Sequence, residues 1–128
     1  MTAKTPQSKK QKGNRAERAV AQAYRSSGLF PKAQRMPMSG AMQFNKGDIF
    51  KGEHDEWCDE VKCQEKVKLW EFWKQTEEQA GMYQKPVLHI TGNHRPILTV
   101  IRMDDYMDLR AALKQWEEYA TELEKKLK

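Results

Sequence analysis

The heptapeptide Trp57-Cys-Asp-Glu-Val-Lys-Cys63 alternates between two faces of a strand. It is followed closely by a segment with Leu69, Phe72, Trp73, Thr76, Ala80 and Tyr83 at helical spacing. A strand that carries Trp57 and Val61 and leads into so apolar a helix belongs in the middle of a sheet, with that helix packed on it. On this strand Trp57, Asp59, Val61 and Cys63 share one face, and Cys58, Glu60 and Lys62 share the other.

The flanking segments extend the pattern. "NRAERAVAQAYRSSG" reads as a helix with Asn14 as N-cap, an apolar stripe of Ala16, Ala19, Val20 and Ala23, and Gly28 as its stop. "LFPKAQRMPMSGAMQFNKG" predicts a short edge strand and a loop. A hairpin is expected through "GDIFKGEHDEWCDEVKC", with its turn in "KGEHDE". Strands in "PVLHIT" and "PILTVIRM" flank the turn "GNHR", and a long helix opened by Asp104 or Asp105 ends the chain. The order helix, three strands, helix, two strands, helix predicts an α/β fold with a central mixed five-stranded sheet flanked by helices. Residues 1–13 form a basic flexible arm, 14–103 the body, and 104–128 a C-terminal amphipathic helix.

That last helix carries Tyr106, Leu109, Leu113, Trp116, Ala120, Leu123 and Leu127 at alternating steps of three and four, a heptad seam. It either lies on its own domain or overhangs and meets something else. At 1.5 Å per residue it runs roughly 35 Å, longer than a body of this size is wide, which favours the overhang.

The 128 residues suffice for one domain, and a hydrophobic content of 38% leaves little for a thick core, so part of the apolar surface is expected to be covered by association. Residues 1–35 hold nine Lys or Arg against one acid, Glu17, whereas the remainder holds fourteen against seventeen. A front-loaded basic arm suits a polyanion, above all nucleic acid; a solvated tail is the other reading of residues 1–13. Two cysteines are too few for a disulfide framework, and "MTAKTPQSKKQKGN" has no apolar run that could direct secretion, so a cytoplasmic protein is expected. No apolar segment approaches the roughly 20 residues of a membrane span.

Glu60 and Lys62 point the same way, and Asp48 on the neighbouring strand can reach the same end. Asp48, Glu60 and the Val61 carbonyl could then supply part of an oxygen shell for a hard cation such as Mg²⁺. A lysine beside the attacking water can orient or deprotonate it and offset charge growing on a phosphate. Taken alone, a Glu-x-Lys is more often a surface ion pair; a central strand argues otherwise. Asp59 is the rival acid, but it faces away from Lys62. Glu17 is a third candidate carboxylate, although in "NRAE" it could equally close a capping box with Asn14.

A zinc module from Cys58, Cys63, His89 and His94 is opposed by geometry, since sulfurs five positions apart on a strand lie on opposite faces and about 16 Å apart. Trp70 lies off the main stripe of its helix and is the tryptophan best placed for an exposed contact with bases; Trp57 and Trp73 read as core, Trp116 as seam. Gln79 sits on the helix face expected to overlook the sheet, where it could hold a water or phosphate or simply be a surface glutamine. A non-catalytic dimeric DNA-binding protein would need the basic arm and the last helix but gains nothing from acids gathered beside its DNA.

Taken in order, "KGNRAERAV", "RMPMSGAMQFNKGDIF", "CDEVKC" and "EEQA" before "PVLHI" resemble the archaeal-type Holliday junction resolvases of the PD-(D/E)XK nuclease superfamily, over roughly residues 12 to 103. The resemblance implies a restriction-endonuclease-like fold and a homodimeric Mg²⁺-dependent endonuclease, with Mn²⁺ able to substitute, that nicks opposed strands of a four-way DNA junction; a phage-encoded relative would act in the host cytoplasm. It assigns catalysis to Glu17, Asp48, Glu60 and Lys62, and DNA contacts to Arg18, Arg35 and Ser39. Asp48 follows Gly47 rather than the proline of the superfamily's name, a common departure, and the resemblance does not extend to the loop between Ser39 and Asp48 or to the heptad tail. A relative acting on flaps, ends or plain duplex fits the same residues.

Overall fold

A computed structural model describes residues 6–37 and 47–128, with side chains from residue 8 onward. The elements run α1 (Pro6–Ser26), β1 (Gln34–Arg35), β2 (Ile49–Phe50), β3 (Trp57–Cys63), α2 (Leu69–Ala80), β4 (Lys85–Thr91), β5 (Leu98–Val100) and α3 (Met103–Leu127).

The strand expected at Trp57–Cys63 forms with those bounds and lies parallel to β4, in the register Trp57↔Lys85, Glu60↔Leu88, Cys63↔Thr91. Parallel neighbours need a crossover, and α2 supplies it. Strand β5 closes the far edge of β4 antiparallel. Helix α2 packs Phe72, Thr76 and Ala80 onto β3 and β4, while Ala16, Val20 and Ala21 of α1 meet Ile49 and Val61 from the opposite side. Val87 and Leu88, adjacent on β4, are therefore both buried, as a strand covered on both faces requires.

Several expectations are corrected. The sheet is not one of five strands but a two-stranded β1–β2 unit beside a three-stranded β3–β4–β5 sheet. Strand β2 is two residues long and pairs with β1, so the expected hairpin ladder to β3 shrinks to a hydrogen bond from the Asp48 N–H to the Asp59 carbonyl, 2.7 Å. Helix α1 starts at Pro6 rather than after Asn14, because the Lys- and Gln-rich stretch continues the helix although it has no apolar stripe. Its buried line is Ala16, Val20 and Ala21, with Ala19 and Ala23 exposed. Tyr83 lies beyond α2 and is almost fully exposed, and Trp70 is exposed, as its place off the stripe predicts.

The last helix spans 25 residues, about 37 Å at 1.5 Å per residue. Asp105 is buried in its first turn and Arg102 ties its start to Glu77 of α2 at 2.9 Å, but every residue from Tyr106 onward is exposed. Among the described residues no helix is long and apolar enough to cross a membrane.

Candidate active site

The site is assembled where β2 enters beside β3. A Cβ on Gly47 would lie 2.7 Å from the Asp59 carbonyl oxygen, so glycine is what lets the chain approach β3 so closely. That approach fixes Asp48 three times: its N–H donates to Asp59, its carbonyl accepts from the Met36 N–H at 2.8 Å, and its Oδ2 accepts from the Val61 N–H at 2.8 Å. The N–H and C=O of one strand residue point to the same side, so the Val61 carbonyl also faces Asp48.

Glu60 is buried beside this group. Its carboxyl is pushed up to about 8, first by burial and then by the charge of Asp48 and a hydrogen bond with it; Lys62 opposes the shift and Glu17 adds a little to it. Two repelling carboxylates and a backbone carbonyl make an oxygen set that suits a hard divalent cation, with water completing the shell. Such a cation would supply Lewis-acid charge to a phosphate oxygen. The Lys62 ammonium lies 5.6 Å from the centre of the Phe72 ring, held on the α2 side of β3 with Glu60.

Glu17 does not close a capping box, since Asn14 lies within α1. Its carboxylate accepts from Arg35 Nε at 2.7 Å, while another nitrogen of the same guanidinium donates to Asn14 Oδ1 at 2.7 Å. Among the described residues no three His, Cys, Asp or Glu side chains converge as metal ligands, so the carboxylate set in place is the pair Asp48 and Glu60. Arg18 is exposed on α1, and Ser39 lies outside the described residues. Gln79, expected to overlook the sheet, is exposed instead, because α2 turns Phe72, Thr76 and Ala80 inward.

An open cleft of about 400 Å³ adjoins Lys62, lined by Lys9, Lys12, Gln64, Glu65 and Lys66. The early start of α1 brings its lysines here, to the end of β3 that carries Lys62. Lys9→Ala combined with Lys66→Ala should lower the slope of log affinity for DNA against log salt by about 0.9 for each phosphate that is no longer neutralised. Titrating binding at several salt concentrations checks this, and an unchanged slope would remove the cleft from the DNA path.

The opposite face of β3 holds a group that separate sequence motifs do not reveal. Asp59, wholly buried, pairs with Lys51 through one oxygen, and through the other accepts from Tyr24 OH and contacts His89 Nε2 at 2.6 Å. Lys51 also meets Asp55 at 2.6 Å, and His89 Nδ1 reaches Thr99 Oγ1 at 2.9 Å. Burial alone would raise the Asp59 carboxyl, but the His89 hydrogen bond and the Lys51 charge hold it below the usual range. The same surroundings push the Tyr24 hydroxyl up, burial foremost and the Asp59 charge next. His89 is thus bound to Asp59, and burial, with Glu60 and Asp59 nearby, pushes the Cys58 thiol up to about 12.

Glu60 carries a pH signature that is independent of cleavage. Its folded value of about 8 exceeds the ordinary 4.5, so the native state holds a proton that the unfolded chain has released. The corresponding stability is fully present below about 4.5 and is lost as pH rises through about 8. Without divalent cations, thermal stability should fall over that window, Glu60→Gln should flatten the fall, and a divalent cation held by the pair should bind more tightly as pH rises while displacing a proton. Thermal melts at stepped pH, with and without Mg²⁺, test all three.

Residues 8–127 match the model of a family described as "Phage putative PDDEXK endonuclease". No curated protein and no solved structure matches the chain. The match runs from the first turn of α1 to the end of α3 and takes in Asp48, Glu60 and Lys62 in the Asp…Glu-x-Lys order of its name, so the chain belongs to this phage PDDEXK endonuclease family.

Proposed function

We propose that the chain is a metal-dependent endodeoxyribonuclease, using Mg²⁺ with Mn²⁺ able to substitute, that acts as a homodimer on four-way DNA junctions. The observation that carries the chemistry is the pair of half-buried Asp48 and buried Glu60, with Lys62 on the same face of β3 as Glu60. A protein that only binds phosphate gains nothing from gathering two acids on the strand that carries Lys62. Asp48, Glu60 and the Val61 carbonyl would hold the cation, which would supply Lewis-acid charge to the phosphate, Glu17 would orient water beside it, and Lys62 would position the attacking water. That water forms the new bond to phosphorus, the bond to the leaving oxygen breaks, and a proton passes to the leaving oxygen. Arg18, Ser39 and Gln79 contact DNA, whereas Arg35 holds Glu17 in place. Residues 14–103 form the nuclease body and 104–128 the association helix.

The preference for junctions is supported by the resemblance in the ordered motifs rather than by the carboxylate pair. A C2 dimer presents two sites related by a two-fold axis, which matches paired nicks across a junction. The test is to incubate the protein and Mg²⁺ with a synthetic four-way junction, a flap, a splayed end and a linear duplex of equal length, and to map the cuts on every strand. Symmetric nicks confined to the junction are expected. Equal cutting of duplex would remove the junction preference and leave the nuclease, and no cutting with Mg²⁺ or Mn²⁺ would remove both.

A further inference from the structure

Helix α3 leaves the body after one turn and exposes a continuous apolar seam. Leu109 is 50% exposed, Leu113 56%, Trp116 68% and Leu127 85%, values foreign to a helix resting on its own core. With Tyr106, Leu113, Ala120 and Leu127 at heptad position a, and Leu109, Trp116 and Leu123 at d, the seam matches the two-stranded coiled-coil pattern over three repeats. Aromatic side chains bury about 150–250 Å² each, so two aromatics and four leucines from each of two copies bring the buried area near the roughly 1,200 Å² at which specific interfaces begin.

The charges choose both the occupant and its direction. Helix α3 is acidic where it starts, at the exposed Asp104 and Asp108, and basic where it ends, at Lys125 and Lys126 with Lys128 just beyond. A second copy running the other way sets each acidic end against a basic end and opposes the helix dipoles; a copy running the same way does neither. Opposing a to d residues, with Leu113 facing the partner's Trp116 and Tyr106 facing the partner's Leu123, brings Arg110 at position e beside the partner's Glu117, also at e, twice by symmetry. In a parallel pair Arg110 would instead face the partner's Asp105, a residue already buried against its own body, and Glu117 would face the partner's Ala112.

We infer that α3 is the dimerisation element of this protein and that two copies pair along it antiparallel, with a nuclease body at each end. The pairing rests on the dimeric part of the proposed function and on none of its chemistry, so it is measured without DNA or divalent cation. Sedimentation equilibrium of the full chain should give a dimer. Leu113→Glu with Trp116→Glu should give a monomer whose body still melts cooperatively. Arg110→Glu, a surface change that leaves the fold intact, should weaken association about tenfold, and adding Glu117→Arg should restore it. A wild-type monomer, or a dimer that survives the seam double variant, would overturn the assignment to α3. Failure of Glu117→Arg to rescue Arg110→Glu would overturn the antiparallel direction. A DNA-cleaving monomer would leave the nuclease reading standing, and an inactive α3-paired dimer would leave this interface standing.

Discussion

Asp48→Asn and Glu60→Gln are each expected to reduce cleavage by about a thousandfold or more while leaving DNA binding equal or tighter. Either change removes half of the carboxylate pair that would hold the cation; Asp48→Asn also removes a negative charge that repels the incoming phosphate, whereas Glu60→Gln replaces a group that holds its proton below about 8 when no cation is bound. Asp48→Asn keeps an oxygen that can accept from the Val61 N–H at 2.8 Å, so the backbone of the site is retained. The measurement is single-turnover cleavage with Mg²⁺ beside a binding titration of the same substrate in Ca²⁺ or without metal. Wild-type cutting by either variant would refute the assignment of the pair.

The second large effect falls on the other face of β3. Asp59→Ala should cost about 3–5 kcal/mol, because it leaves the Lys51 ammonium, nearly wholly buried, with Asp55 alone and strips the Tyr24 hydroxyl and His89 of their shared acceptor. For a chain of this length that is a fall in Tm of about 10–20 °C, readable by circular dichroism. Asp59 lies two positions from Val61 and next to Glu60, and a catalytic role is the obvious rival reading. The two separate cleanly: at a temperature where Asp59→Ala is folded, it should still cut, whereas a catalytic acid would be missed at every temperature.

How far the sequence foretold these arrangements depended on whether the signal was local. Period-two alternation from Trp57 to Cys63 and the helical spacing of Phe72, Thr76 and Ala80 produced β3 and α2 in the positions expected, and alternation alone separated Glu60 and Lys62 from Asp59. Asn14 and Glu17 misled because their spacing has the form of a helix start, yet both side chains are engaged by Arg35, 21 and 18 residues away. The division of the sheet was hidden because strands of two residues carry no periodicity. The buried group on Asp59 was illegible for a different reason. Its partners Tyr24, Lys51 and His89 lie 35, 8 and 30 residues away and form no motif, so only the packing of α1 and β4 against β3 brings them together.

The hydrogen bond from the Asp48 N–H to the Asp59 carbonyl joins the two faces of β3 through the backbone itself. One end of that bond belongs to the candidate metal site and the other to wholly buried Asp59 and the polar group around it. Amides tied into such a unit exchange with solvent only when the whole domain opens, so the Asp48 and Val61 amides should be among the slowest to exchange, even without a cation. The carboxylate pair is then rigid before any ligand arrives. Cation binding would have to draw a proton from Glu60, without first reshaping the chain around it.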